Sequence, residues 1–255
     1  MSRWELVALE NIGAVSPGAD LGGIIVASAS AMRLSVRDGD IFAIAQKIVS
    51  KAENRFVLLD DVRPTAEAIA LAARCLKDPR YVEVVLRESR AVLRAVPNVL
   101  IVEDRRGLVL ANAGIDRSNV EVDQFGRERA LLLPEDPDAS AAKVRVRIRE
   151  LANVDVGVLI NDSIGRAWRL GTIGTAIGVS GLPGLCDLRG QPDLHGRELQ
   201  STEVAMADEL AAAASALMGQ GAEGTPIVLI RGVQRSRRDG NARELQRAQD
   251  NDLFR

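Results

Sequence analysis

The sequence predicts an α+β protein in which mixed sheets are flanked by helices, and three features point there. Short β-branched runs alternate with stretches of helical periodicity along the 255 residues. The segment Ile101-Val102-Glu103-Asp104-Arg105-Arg106-Gly107-Leu108-Val109 doubles back as a hairpin, which argues against a simple doubly wound parallel sheet. Hydrophobic residues make up 47% of the chain, enough to bury a substantial core.

In chain order, the first strand is expected at Leu6-Val7-Ala8-Leu9, followed by a buried helix over residues 20–34 that is rich in Ala, Ser and Gly. Its most apolar window, residues 21–32, is too short for the roughly 20 residues of a membrane span. Strands are expected next at Ile41-Phe42-Ala43-Ile44 and Phe56-Val57-Leu58-Leu59, then helices over 65–76 and 81–96, then a strand at Val99-Leu100-Ile101-Val102. The polar stretch 116–129 is either a loop or an internal boundary. A helix follows over 140–151, with Ser140 placed to cap its free N–H groups. Val144, Ile148 and Leu151 share one face there, while Arg145, Arg147 and Arg149 mostly meet water. A strand over 156–160, a helix over 202–218 containing the Ala211 to Ala214 tract, and a strand at Ile227-Val228-Leu229-Ile230 complete the order. From Arg235 the sequence is dense in Arg, Asp, Asn and Gln and reads as a surface tail.

Charge and cysteine content exclude several functions. Lys and Arg total 33 against 35 Asp and Glu, so no face-wide basic field for nucleic acid is implied. Cys75 and Cys186 are the only cysteines and form no CxxC pair, which speaks against a disulfide framework or a thiolate zinc site and fits a reducing cytoplasm. An acid, Glu5, stands where a signal peptide needs an apolar run, so no export is expected.

No Walker, HExxH, GxSxG or EF-hand pattern occurs, so any nucleotide would have to be held unconventionally. Gly219-Gln220-Gly221-Ala222-Glu223-Gly224 matches GxGxxG, but it follows a helix and precedes a strand, the reverse of the dinucleotide-binding context. Taken alone it is more simply a helix-ending glycine cap than a phosphate loop. Asp116 and Asp162 each lie just beyond an apolar run, where an acid can face a cleft; a pair of them suits a hard divalent cation, though each could equally cap a turn. Arg166, Trp168 and Arg169 offer guanidinium forks beside a flat apolar ring, suited to an anionic, ring-bearing ligand or to a stacked surface cluster. Lys47 and Lys51 follow a strand, where cations can meet phosphate oxygens, although two exposed lysines are otherwise ordinary. The only histidine, His195, is read as structural, and Glu203 and Asp208 as surface or capping acids.

Four motifs in register resemble the coenzyme F-420:gamma-glutamyl ligase family: Asn112 to Asn119, Leu133 to Ala141, Asp162-Ser163-Ile164-Gly165-Arg166, and Asp193 to Leu199, with the likeness running from Leu9 to Val233. The resemblance implies a ligase domain over 1–233, with a candidate internal boundary near 117–130 and a polar tail over 234–255. It implies an unusual α+β homodimer without a Walker or Rossmann nucleotide site. It also implies a reaction: GTP phosphorylates the terminal carboxylate of a deazaflavin precursor, the amine of L-glutamate displaces phosphate from the acyl phosphate, and further gamma-linked glutamates follow. Mn²⁺ or Mg²⁺ would serve, aided by K⁺.

By the same resemblance Asp116, Asp162, Ser163 and the Gln220 position would bind metal, and Asn119 would contact GTP. Lys51 would meet phosphate, and Asn11, Ile12, Gly13, Ala14, Gln46 and Lys47 would help form the nucleotide pocket. The loop Met218, Gly219, Gln220, Gly221, Ala222, Glu223, Gly224 and Thr225 would complete it, and Arg166, Trp168 and Arg169 would receive the acceptor. Relatives can carry an acid where Gln220 stands, with Glu223 as a substitute here; Gln46 replaces a hydroxyl residue, Ile12-Gly13 replaces Leu-Pro, and residues 122–128 are longer than the family pattern. The rival readings are a ligase with another acid acceptor, a non-catalytic nucleotide-binding homologue, and a metal-dependent phosphatase.

Overall fold

The computed structural model describes residues 3–118, 120–234 and 238–252. The chain runs β1 (Glu5–Ala8), α1 (Leu21–Ala31), β2 (Ile41–Ala45), α2 (Gln46–Ala52), β3 (Phe56–Leu58), α3 (Ala66–Cys75), α4 (Pro79–Arg87), β4 (Ser89–Val96), β5 (Val99–Asp104) and β6 (Val109–Ala111). It continues through β7 (Arg129–Leu131), α5 (Pro137–Ala152), β8 (Gly157–Gly165), β9 (Thr172–Ser180), β10 (Cys186–Asp187), β11 (Glu203–Val204), α6 (Met206–Met218) and β12 (Ile227–Arg231). The mixed α+β class follows. No helix among the described residues is long and apolar enough to cross a membrane.

The central sheet has the order β1-β12-β2-β8-β9, antiparallel except for the parallel pair β2 and β8. Strand periodicity sends alternate side chains to opposite faces. Phe42, Ile44, Val158, Ile160, Ile227 and Leu229 pack on one side with Ile25 of α1 and Val144 and Ile148 of α5. Ile41, Ala43, Leu159, Val228 and Ile230 pack on the other with Leu210, Ala211 and Ala214 of α6. Burying a side chain such as Phe42 or Leu159 completely contributes about 1.5–3 kcal/mol. A continuous apolar run such as β2 is therefore what a strand covered on both faces requires.

The segment between α2 and α5 is inserted between the parallel neighbours β2 and β8. It forms a second core, in which Leu71, Tyr81, Val85, Leu100 and Val102 join α3 and α4 to the sheet β4-β5-β6. Its two-stranded pair β3-β7 lies antiparallel, with Phe56 opposite Leu131. The polar stretch after Asp116 leaves and rejoins this unit, because Asp116 and Leu131 exchange backbone hydrogen bonds of 3.0 and 2.9 Å.

Several expectations need correction. The helix expected over 81–96 stops at Arg87, and β4 replaces its second half. Asp78 caps α4 and Pro79 starts it, but Asn98 adopts φ +65° and turns the chain so that β4 forms a hairpin with β5. Strand pairing thus outweighs the local helical pattern. The cap of α5 is Asp136, whose carboxylate accepts from the Ala139 N–H, while Ser140 lies inside the helix. The strand β9 escaped the sequence reading because Gly174 and Gly178 dilute its β-branched signal. Both glycines are required by close packing: a Cβ on Gly178 would meet the Pro137 carbonyl oxygen at 2.4 Å. The first residues of the helix expected over 202–218 instead form β11, paired with β10. The described part of the polar tail is pinned, since Glu244 accepts from the N–H groups of Gly184 and Leu185 and Ala242 is buried.

Candidate functional site

A cleft of about 420 Å³ opens where β2 passes into α2, beside β8 and the loop joining α6 to β12. Among its walls are Ile12, Gln46, Lys47, Lys51, Asp116, Asp162, Ser163 and every residue from Met218 to Pro226. In chain order eight strands and α-helices, β3 through α5, separate α2 from β8, and the parallel β2-β8 pair brings their ends together: Ala45 lies opposite Asn161.

Asp116 reaches the cleft through a constrained turn. Asn112, Ala113 and Gly114 all take positive φ, of 53°, 55° and 69°, a left-handed conformation that costs side-chain-bearing residues free energy. At Gly114 a Cβ would also meet Leu133 Cδ1 at 2.6 Å, so only glycine fits. The turn is held by the Tyr81 hydroxyl, which donates to the Ile115 carbonyl at 2.6 Å, and by the backbone exchange with Leu131. The Asp116 carboxylate accepts from Gln46 Nε2 at 2.7 Å and lies 3.4 Å from the Lys47 ammonium. Gln46 is itself buried and oriented by Ser50, whose hydroxyl donates to Gln46 Oε1.

Asp162 sits in mid-strand, a correction to its expected place at a strand end: β8 runs on to Gly165. A bulge between Ile160 and Asn161 shifts the register there, and such irregularities re-aim side chains. Burial and then the neighbouring charge of Asp116 push the Asp162 carboxyl up to about 6, against a smaller downward pull from the Ser163 N–H. Asp116 is also raised, by burial, with Lys47 and Gln46 opposing. The two acids therefore share one cavity and feel each other's charge. The Ser163 hydroxyl donates to Gln220 Oε1 at 2.8 Å, and Gln220 Nε2 donates to Ser215, so the glycine loop is tied to β8 beside Asp162.

These donors are oxygen atoms from two carboxylates, a hydroxyl and a carboxamide, a set suited to a hard cation such as Mg²⁺ or Mn²⁺. A divalent ion would also relieve the repulsion that raises Asp162. Among the described residues no three His, Cys, Asp or Glu side chains gather around a common point, so the remaining ligand positions would fall to neutral oxygens, water or phosphate.

The other expected residues are placed as follows. Gly219 does cap α6, with φ +74°, while its loop lines the cleft as well. Glu223 lines the cleft, with its carboxylate accepting from the Gly221 N–H at 2.8 Å. Lys51 is held by Glu121 at 2.9 Å. Asn11, Gly13 and Ala14 flank Ile12 on an exposed turn outside the cleft lining, and Asn119 lies outside the described residues. Arg166, Trp168 and Arg169 occupy the exposed tip of the β8-β9 hairpin and do not line the cleft; Trp168 is 86% exposed. His195 is exposed on a turn and away from the core. Asp208 accepts from the Ala176 N–H and Glu203 pairs with Arg189. Asn161 was missed as a site residue: it is buried, lines the cleft, and its Oδ1 has no hydrogen-bond partner. Its signal was a polar residue closing an apolar run.

A family model described as F420-0:Gamma-glutamyl ligase matches residues 11–232. This chain belongs to that ligase family. A coenzyme F420:L-glutamate ligase of Methanopyrus kandleri is 47% identical, with 99% of this chain and 97% of that protein covered. Proteins of the same name from Methanothermobacter thermautotrophicus and Archaeoglobus fulgidus are 42% and 41% identical, each over at least 97% of both chains. The gamma-glutamyl ligase resemblance carried by the four motifs is thereby borne out.

Proposed function

We propose that this chain is a GTP-dependent ligase joining L-glutamate to the deazaflavin coenzyme F-420 precursor, with further gamma-linked additions. The observation that carries the reading is the convergence of Asp116, Asp162, Lys47, Lys51 and the glycine loop on one cleft, in a chain of this family. A carboxylate oxygen of the acceptor attacks the γ-phosphorus of GTP, the bond to GDP breaks, and an acyl phosphate forms. The neutral amine of glutamate then attacks the acyl carbon, phosphate leaves with the bonding pair, and the amine's surplus proton passes to water.

Asp116, Asp162, Ser163 and Gln220 would hold Mn²⁺ or Mg²⁺, which when bound neutralises phosphate charge. Lys47 and Lys51 orient phosphate oxygens, and the glycine loop lets backbone approach the nucleotide without side-chain interference. Gln46 holds the Asp116 carboxylate in place. Positioning of this kind supplies much of the rate in phosphoryl transfer. Arg166, Trp168 and Arg169 receive the acceptor from the hairpin tip, and the enzyme works in the cytoplasm as a homodimer aided by K⁺. The test incubates purified protein with GTP, Mn²⁺, L-glutamate and the deazaflavin precursor and follows mass. Addition of one glutamyl unit, with GDP released, is expected; phosphate release without the adduct would reject ligation.

A further inference from the structure

Away from the glycine loop, a second concavity of about 540 Å³ lies where the inserted unit meets Glu135, just before α5, and the C-terminal segment. Five guanidinium groups, those of Arg55, Arg90, Arg105, Arg106 and Arg243, line it against two carboxylates, Glu88 and Glu135. Such an excess of one sign in a concave surface concentrates counter-ions, and planar guanidinium forks match carboxylate and phosphate geometry.

Some of these arginines are framework. Arg106 is locked by Asp104, which is fully buried and accepts from its Nε at 2.7 Å, while its Nη1 donates to the Pro134 carbonyl at 2.9 Å. Asp104 also accepts from the N–H groups of Arg106 and Leu108, so the β5-β6 turn is rigid. Arg55 donates to the Leu133 carbonyl at 3.0 Å and stands 3.5 Å from Glu88. Arg105 and Arg243 are different: among the described residues neither guanidinium has a hydrogen-bond or ion-pair partner, although both line the concavity. Arg105 is presented by the rigid turn, its own N–H donating to the Glu88 carbonyl, and Arg243 by the pinned short helix Ala242–Leu245. Arg90 also lies 3.7 Å from Glu103, so each framework arginine faces a carboxylate of its own, and the surplus positive charge of the cavity rests on Arg105 and Arg243, both held on firm backbone.

We propose that this concavity is a second anion site, distinct from the Asp116 and Asp162 cleft, which takes the oxyanion groups of a small molecule between Arg105 and Arg243. Carboxylates along a gamma-linked glutamyl chain and free inorganic phosphate share that chemistry. The site does not depend on the nucleotide reading of the other cleft. The charge of Arg106 is nonetheless felt at Asp162, so the two cavities lie within electrostatic reach.

The test is arginine Nε–Hε NMR on the full chain, titrated separately with inorganic phosphate and with gamma-glutamylglutamate. Resonances are assigned from Arg105→Lys and Arg243→Lys, and binding is repeated in Lys51→Ala, which removes a phosphate-facing cation of the other cleft. Saturable shifts of Arg105 and Arg243 that persist in Lys51→Ala are expected. In Arg105→Gln/Arg243→Gln, binding reported by Arg106 should weaken by about tenfold or more, with the melting temperature unchanged because both side chains are exposed. Response to phosphate alone would assign the free ion, and response to the dipeptide would assign a carboxylate chain. No saturable shift with either probe, shifts lost in Lys51→Ala, or undiminished binding in the double variant would each overturn the site.

Discussion

Two pairs of acids in this protein, one buried and one half-buried at the cleft, are held in different ways. Asp40 and Asp104, at 2% and 0% exposure, are each met by an arginine and by backbone N–H groups: Arg231 donates to both oxygens of Asp40 at 2.8 and 2.7 Å, and the Arg37 N–H adds a third bond. Asp116 and Asp162 share one cleft with no guanidinium against them, and each is held above the usual carboxylate range by its surroundings. Satisfied acids hold backbone together. Acids left facing each other are kept at a cost, which a bound cation would recover.

The largest effect expected from that contrast is on turnover. Asp116→Asn and Asp162→Asn should each lower glutamate ligation by about 10²–10³-fold or more with a native circular dichroism spectrum; near-normal turnover in both would break the contrast. Next, Asp40→Ala leaves Arg231 without its carboxylate and should cost about 3 kcal/mol in urea unfolding. A change within error would place Asp40 outside the structural class.

The third effect has the opposite sign. Asp162 is raised in the folded state to about 6 from 3.8, so its ionised form opposes folding: the penalty is absent below pH 3.8 and complete above about 6. Without divalent metal, Asp162→Asn should therefore stabilise the chain by about 2 kcal/mol at pH 7, and the gain should vanish near pH 4. Thermal melts at both values with a chelator, then with Mn²⁺, would show it. A variant less stable than the parent at pH 7 would mean that Asp162 is satisfied after all. The smallest effect concerns Lys51, which Glu121 holds as a phosphate would. Glu121→Gln should lower the KM for GTP about two- to threefold with little change in kcat, and an unchanged or higher KM would free Glu121 from that competition.

Much of this was legible beforehand, and the failures have physical causes. Both acids, both lysines and the glycine loop stood out locally as polar residues closing apolar runs or glycines closing a helix, but only the family resemblance picked them over turn caps and ordinary surface lysines. The β4 strand was not legible, because Val92, Leu93 and Val96 keep the i, i+1, i+4 spacing of a helix face until β5 offers a partner across the Asn98 turn. The mid-strand position of Asp162 depends on a bulge that exists only in the β8-β9 pairing. Arg166, Trp168 and Arg169 were legible as guanidinium forks beside a flat ring, while their place at the exposed hairpin tip, outside the cleft lining, is set by the β8-β9 pairing.

By itself the sequence determined the two-faced strands, most helix positions, the family and the residue types able to hold a cation and phosphate. Each follows from local periodicity or from a motif read along the chain. Only the tertiary structure decided which of these residues meet: Asp116 reaches Gln46 across 70 positions, and Arg105 and Arg243 line one concavity. Electrostatic coupling falls with distance in space, and separation along the chain carries no record of it until the parallel β2-β8 pair closes around the inserted unit.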